Sequence, residues 1–253
     1  AGFLWLFLWI PFYNVPGKIK RLTAGELAHI RSDDDDERSG EGKVSWLSLL
    51  GYRQTWSFIA AKFMTDPVWW FLLIWLPDYF KQTRALDIKH SWIFIVTIYA
   101  IVTVLSIAGG WVTGHLAGRG WTITRARKTG MFVFALCAIP MLFVTRVGDW
   151  TAVLLIGVAG AAHQAWSANL YTTVSDMFPK RAVASVIGLG GMAGAMGGFM
   201  FPIMTGKMLD LFQERGQVTM GYGILFGICA SAYLLAFGLN HLLAPRFEPM
   251  RPG

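Results

Sequence analysis

The chain has 253 residues, of which 55% are hydrophobic, 15% aromatic and 15% charged. Soluble domains of this length carry about 25% charged residues, so the composition argues against a soluble globular protein, as does the mean hydropathy of +0.48. The formal net charge of +7 does not indicate nucleic-acid binding, because the cations lie in short loops between apolar spans, as in membrane proteins.

Apolar and polar segments alternate along the chain. An aromatic-rich stretch at 1–16 is interpreted as the end of a transmembrane helix (helix 6 of a longer protein) whose start lies upstream. The polar segment 17–53 is interpreted as a central loop, and the charge run that it contains at 31–40 is expected to be a solvated, poorly ordered stretch. Six apolar segments follow, each long enough to cross a hydrocarbon core about 30 Å thick. They lie at about 54–80, 91–115, 129–145, 150–174, 183–206 and 221–244. The sequence therefore predicts an all-α protein embedded in the lipid bilayer.

Lysine and arginine are distributed unevenly between the two sides of these spans. Fifteen lie on the side of segment 17–53 and the tail 246–253, and six lie on the other side. The positive-inside rule then places the central loop and the C-terminus in the cytoplasm. A long cytoplasmic loop before a six-helix bundle at 54–245 is the layout of the second half of a twelve-helix transporter. Each half of such a transporter is a pair of inverted three-helix repeats.

Two opposite charges, Lys62 and Asp66, interrupt the apolar segment 54–80. One charge at the bilayer centre costs about 2.5–3.5 kcal/mol on insertion scales, so both are expected to face protein or water. Residues four apart on a helix are about 6 Å apart along its axis, and Trp69 falls on the same face. A cation, an acid and an aromatic ring suit a sugar-acid ligand. The alternative is an ion pair that only stabilises the bundle.

The segment 150–174 carries polar side chains on two helical faces, so neither face is expected to meet lipid. The candidates for contacts with substrate hydroxyls are Gln164, Trp166, Ser167 and Asn169. The alternative for each is an interhelical hydrogen bond, worth about 0.6 kcal/mol. His163 is a candidate proton relay because imidazole titrates near neutrality, with a packing role as its alternative.

The sequence contains no motif for a metal or a cofactor. The five histidines are scattered and neither cysteine neighbours one, so we expect no metal site and no cofactor. A membrane-embedded enzyme using Asp66 and His163 is one alternative to a transporter. A non-transporting membrane sensor is another.

Two stretches of the chain resemble a known family. The stretch from Lys62 to Tyr79 resembles the seventh helix of the anion:cation symporter family of the major facilitator superfamily. The stretch from His163 to Arg181 resembles the tenth helix and following loop of the hexuronate transporters in that family. The run Gly190-Gly-Met-Ala-Gly194 extends the match into the eleventh helix.

The resemblance implies a proton-coupled importer of hexuronates, such as glucuronate and galacturonate, in a bacterial inner membrane. It also implies alternating access between two six-helix bundles, with a sugar-acid anion and a proton as the transported species. Family members take protons on acids of the N-terminal bundle, upstream of this chain, so Asp66 is not given that role. The small residues around Ala195, where aldonate transporters carry an asparagine, favour hexuronates over aldonates or aldarates, which are the alternative substrates.

Overall fold

The computed structural model describes residues 2–19, 21–32, 45–86 and 88–249, and these contain helices and no strand. Most of the predicted charge run, residues 33–40, lies outside the described residues. The chain divides into two compact units, Ala1–Lys43 and Val44–Gly253, which are taken in turn.

The first unit contains helix α1 (Gly2–Phe12), a short 3-10 helix (Pro16–Lys18) and helix α2 (Ala24–Ser32). A capping box begins α2: the backbone N–H of Thr23 donates to the Glu26 carboxylate at 2.8 Å, and the Glu26 N–H donates to the Thr23 hydroxyl at 3.3 Å. These reciprocal bonds satisfy backbone donors that a helix start leaves free. Part of segment 17–53 is therefore helical, and α2 includes the first two residues of the charge run.

The second unit begins with the short helix α3 (Trp46–Leu49) and continues with six long helices. These are α4 (Arg53–Arg84), α5 (Ile88–Gly118), α6 (Ile123–Ala138), α7 (Asp149–Met177), α8 (Lys180–Glu214) and α9 (Val218–Leu243). A 3-10 helix, Ile139–Arg146, continues α6. The helix tightens there because Pro140 has no backbone N–H to donate to the preceding turn. The predicted all-α membrane fold is confirmed.

Five of these helices are long and apolar enough to cross a membrane, counted over the described residues: α4, α5, α6 with its 3-10 extension, α8 and α9. Helix α7 is equally long, but its central polar side chains lower its hydropathy. Its face at Asn169 and Thr173 is buried, whereas Ala168, Thr172 and Ser175, on the side of Gln164 and Ser167, are exposed. A helix that is polar on two faces requires protein or water around both of them in a membrane.

Polar contacts between helix ends show the relative directions of the helices. At one end of the bundle, Arg84 at the end of α4 pairs with Asp149 at the start of α7, at 2.7 Å. At the other end, Arg53 at the start of α4 donates to the carbonyl of Leu242 near the end of α9, at 2.8 Å. Helix α4 therefore runs antiparallel to both α7 and α9, which is what short connections between spans require.

Helices α4 and α8 approach each other closely along glycines of α8. A Cβ atom at Gly197 would lie 2.6 Å from the carbonyl oxygen of Phe63 and 2.8 Å from Cγ of Pro67. Helix α8 therefore packs directly against the backbone of α4. Close approach of this kind is the usual role of small residues between membrane helices.

Candidate functional site

The centre of the site is the ion pair of Lys62 and Asp66 on α4. The Lys62 Nζ lies 2.7 Å from Oδ2 of Asp66, and the two side chains are 5% and 18% exposed. Both residues lie well inside a membrane-spanning helix. The pair forms because residues four apart share one helical face, and mutual neutralisation reduces the penalty of placing each charge in apolar surroundings.

Tyr171 of α7 completes the surroundings of the lysine. The Nζ of Lys62 lies 4.5 Å from the centroid of the Tyr171 ring, within the range of a cation–π contact. Phe58 packs edge-on against the same ring at 5.7 Å. We did not single out Tyr171 from the sequence as a site residue. The signal was present, because it shares a helical face with Gln164 and Ser167.

A second layer of rings lies one turn further along α4. The Trp69 and His163 rings are stacked, with centroids 5.4 Å apart and planes 10° apart. Tyr99 of α5 meets Trp69 edge-on at 6.4 Å. The Nδ1 of His163 lies 2.8 Å from the hydroxyl of Tyr233 on α9. His163 is therefore buried, stacked and hydrogen-bonded, and it fixes the position of Trp69.

Gln164 and Ser167 lie on the face of α7 that presents Tyr171 to Lys62. Both side chains are half-buried. Within the described part of the chain, neither side chain forms a hydrogen bond. An amide and a hydroxyl in this position retain their capacity to bind hydroxyl groups of a ligand.

The side chains of Trp166 and Asn169 lie outside the group around Lys62 and Tyr171. Trp166 is fully buried in the hydrophobic core. The Asn169 amide donates to the backbone carbonyl of Arg127 at 2.9 Å, and its oxygen accepts from the Arg127 guanidinium at 3.4 Å. Arg127 in turn pairs with Asp176 at 3.0 Å. The structure therefore brings Lys62, Asp66, Trp69, His163, Gln164 and Ser167 to one region. It places Asn169 in the packing of α6 against α7, and Trp166 against Tyr233 of α9 with ring centroids 5.8 Å apart.

An apolar groove of about 460 Å³ lies between α4, α8 and α9, on the opposite side of α4 from Lys62. Its lining residues are Phe63, Met64, Pro67, Val68, Gly197, Met200, Phe201, Met204, Ile228, Ser231, Ala232 and Leu235. The groove offers a carboxylate no cation, and the hydroxyl of Ser231 donates to the carbonyl of Ile228 at 3.0 Å. It is therefore distinct from the polar site.

The chemistry of the polar site is that of binding. It offers one ammonium, one carboxylate, aromatic faces and two free polar side chains, with no nucleophile held by a neighbouring base. Across the described ranges, no three His, Cys, Asp or Glu side chains come together to hold a metal ion. Ionisable and polar side chains inside a bundle of membrane-spanning helices are typical of membrane transport proteins.

The chain belongs to the Major Facilitator Superfamily, whose sequence model matches residues 1–202. It is 27% identical over 240 residues to a hexuronate transporter of Escherichia coli (strain K12), an alignment that covers 92% of this chain and 53% of that protein. It is 25% identical over 248 residues to a chloroplastic ascorbate transporter of Arabidopsis thaliana, covering 96% of this chain and 44% of the relative.

A third relative is a D-galactonate transporter of Escherichia coli O6:H1, 22% identical over 253 residues, with 96% of this chain and 56% of that protein covered. The chain thus spans about half the length of the curated relatives it matches. These similarities point to a transporter and not to an enzyme.

Proposed function

We propose that the protein imports hexuronates, such as glucuronate and galacturonate, together with protons across a bacterial inner membrane. In this proposal the chain forms the C-terminal bundle of an alternating-access transporter. The observation that carries it is Lys62, a cation with a 5% exposed side chain inside a membrane-spanning helix. An ionisable residue at this depth is by default part of a transport path, and the similarity to a hexuronate transporter supports a sugar acid as its ligand.

Each group of the site has a role in this proposal. Lys62 binds the substrate carboxylate through charge-assisted hydrogen bonds. Gln164 and Ser167, whose side chains are free among the described residues, bind ring hydroxyls. The partly exposed indole of Trp69 packs against the C–H face of the sugar ring. Asp66 accepts a hydrogen bond from a substrate hydroxyl when substrate enters.

The proposal also assigns an orientation and a partner bundle. The excess of lysine and arginine, fifteen against six, supports a cytoplasmic central loop and a cytoplasmic C-terminus. Because the chain spans about half of its relatives, we propose that a six-helix bundle encoded by preceding sequence completes the transporter. The acids that take the protons belong to that bundle. The relay role predicted for His163 is not carried into the proposal, because its ring is buried and engaged on both sides.

A second candidate substrate class is the aldonates, open-chain acids that also carry one carboxylate and several hydroxyls. The similarity to a D-galactonate transporter favours it. The same Lys62 contact serves both classes, so competition between galacturonate and galactonate for uptake distinguishes them.

Uptake by the full-length protein in proteoliposomes tests the proposal. Radiolabelled glucuronate is expected to accumulate when the outside is made acidic, and to stop accumulating when the pH gradient is collapsed. The variant Lys62→Ala is expected to lose about tenfold or more of this uptake, because a buried charge contact is removed. Lys81→Ala, at an exposed position in the last turn of the same helix, is the matched control. Full uptake by Lys62→Ala, or uptake indifferent to the gradient, contradicts the proposal.

A further inference from the structure

The Asp66 carboxylate occupies the space that a side chain at Gly194 would fill. A Cβ atom at Gly194 would lie 2.9 Å from Cγ of Asp66 and would overlap its Oδ2 atom. Oδ2 is also the atom that meets the Lys62 ammonium at 2.7 Å. The backbone of α8 therefore lies against the Asp66 carboxylate and limits where that carboxylate can move.

We propose that Asp66 is an internal competitor of the substrate carboxylate for Lys62, held in place by the close approach of α8 at Gly194. This inference rests on the proposed function, because it concerns how the same site takes its anionic substrate. Gly194 acts through Asp66 and is a positioning residue.

The geometry of the ammonium group supports this arrangement. Lys62 has three N–H donors; one side is taken by Asp66, and the ring of Tyr171 covers another at 4.5 Å. The Asp66 side chain is more exposed than that of Lys62, at 18% against 5%, so it lies on the open side of the pair. A substrate carboxylate reaches the ammonium by displacing or sharing the position of Oδ2.

Competition of this kind has a consequence for selectivity. A neutral sugar offers no charge to replace Asp66, and separating the pair without replacement leaves a buried charge uncompensated. A sugar acid replaces one carboxylate with another and keeps Lys62 paired throughout. The internal carboxylate thereby favours anionic substrates, and it also helps to expel the substrate when the pair re-forms.

Two variants of the full-length protein test the inference with labelled glucuronate. Asp66→Asn removes the competing charge, and we expect the KM to fall about tenfold, the worth of one charge-assisted hydrogen bond. The kcat is expected to fall as well, because release becomes slower. Gly194→Ala keeps every charge and displaces the Asp66 carboxylate sterically, so we expect the KM to fall for this variant as it does for Asp66→Asn. Gly191→Ala, at a position where a Cβ meets nothing within 4 Å, is the matched control.

A double-mutant comparison separates this role from general helix packing. In an Asp66→Ala background no carboxylate remains for the new methyl group to displace, so Gly194→Ala is expected to leave the KM unchanged there. An unchanged or raised KM for Asp66→Asn overturns the inference, as does a Gly194→Ala effect that persists in the Asp66→Ala background. If Asp66→Asn does not fold, Gly194→Ala decides the question.

The two proposals fail in different ways. If Lys62→Ala loses uptake while Asp66→Asn and Gly194→Ala leave the KM unchanged, the competitor role is wrong and the transport function stands. If Lys62→Ala transports normally, the assignment of the site itself is wrong.

Discussion

The indole of Trp69 lies parallel to the imidazole of His163, with 5.4 Å between ring centroids and 10° between ring planes. This contact joins α4 to α7 next to the Lys62–Asp66 pair. Because Tyr233 of α9 binds the other side of the imidazole, three helices meet at one histidine. Trp69 thus takes its orientation from a hydrogen bond formed two helices away.

The first prediction separates the two polar faces of α7. Gln164→Ala is expected to raise the KM for the sugar acid, because a free amide on the Lys62 side is lost, and to leave the melting temperature unchanged. Asn169→Ala is expected to leave the KM unchanged and to lower the melting temperature, because it removes a buried amide that forms two hydrogen bonds to Arg127. That loss is about 1–3 kcal/mol. Uptake kinetics measure the KM, and thermal unfolding of the purified protein measures the melting temperature. A raised KM for Asn169→Ala would instead support the role in substrate binding that the sequence predicts for Asn169.

The second prediction concerns the hydrogen bond between His163 and Tyr233. Tyr233→Phe leaves the Nδ1 of a buried imidazole unpaired, which costs about 1–3 kcal/mol, so the melting temperature is expected to fall. Tyr171→Phe also removes one hydroxyl, but that hydroxyl makes no hydrogen bond to the residues that the structure describes. The control is therefore expected to keep its melting temperature and its cation–π contact. Equal melting temperatures for Tyr233→Phe and Tyr171→Phe would show that the hydrogen bond between His163 and Tyr233 does not stabilise the fold.

The third prediction tests the contact between α4 and α8. Gly197→Ala places a methyl group against the backbone carbonyl of Phe63, 2.6 Å away, and backbone atoms inside a packed bundle move little. The expected loss is about 1–3 kcal/mol, read as lower yield of monodisperse protein and a lower melting temperature. Gly191→Ala meets nothing within 4 Å and is expected to gain up to about 1 kcal/mol from helix propensity. Similar behaviour of the two variants would show that the helices are further apart.

The fourth prediction concerns the start of α2. Hydrogen bonds from the Thr23 backbone N–H and hydroxyl lower the pKa of the Glu26 carboxyl below its ordinary value of 4.5. A lowered pKa in the folded state means that the capping box stabilises α2 above pH 4.5, and that this contribution is lost as the pH falls through the lower folded value. Carboxyl NMR of residues 16–32 as a peptide measures the pKa. Thr23→Ala removes the hydroxyl and keeps the backbone N–H, so it is expected to raise the pKa only part of the way to the ordinary value, and an unchanged low value would exclude the hydroxyl as a cause.

Local patterns were sufficient to predict part of this structure. The apolar runs predict the long helices, because a bilayer imposes a span length that is visible in the sequence. The Lys62–Asp66 contact follows from a four-residue spacing on one helix and is seen at 2.7 Å. Helix α2 was missed because the Thr23 and Glu26 signature was outweighed by the polar composition of the surrounding segment.

Contacts between distant helices were not predictable in the same way. Nothing local connects Tyr233 to His163 or Gly194 to Asp66, since these pairs depend on how α8 and α9 pack against the rest of the bundle. Helix α7 illustrates the same limit, because its sequence shows two polar faces without showing which one meets α4. The faces of Gln164 and Asn169 were therefore given the same role, and the structure separates them.

Pro67 lies in the middle of α4 and has no backbone N–H. The carbonyl of Phe63 consequently lacks its usual donor within the helix and faces Gly197 of the neighbouring helix. Beyond this point, the far end of α4 is anchored through Arg84 to Asp149. Bending at Pro67, as at Pro77, breaks fewer hydrogen bonds than bending elsewhere along α4. A bend at Pro67 therefore changes the angle between the half of α4 that carries Lys62 and the half that Arg84 joins to α7.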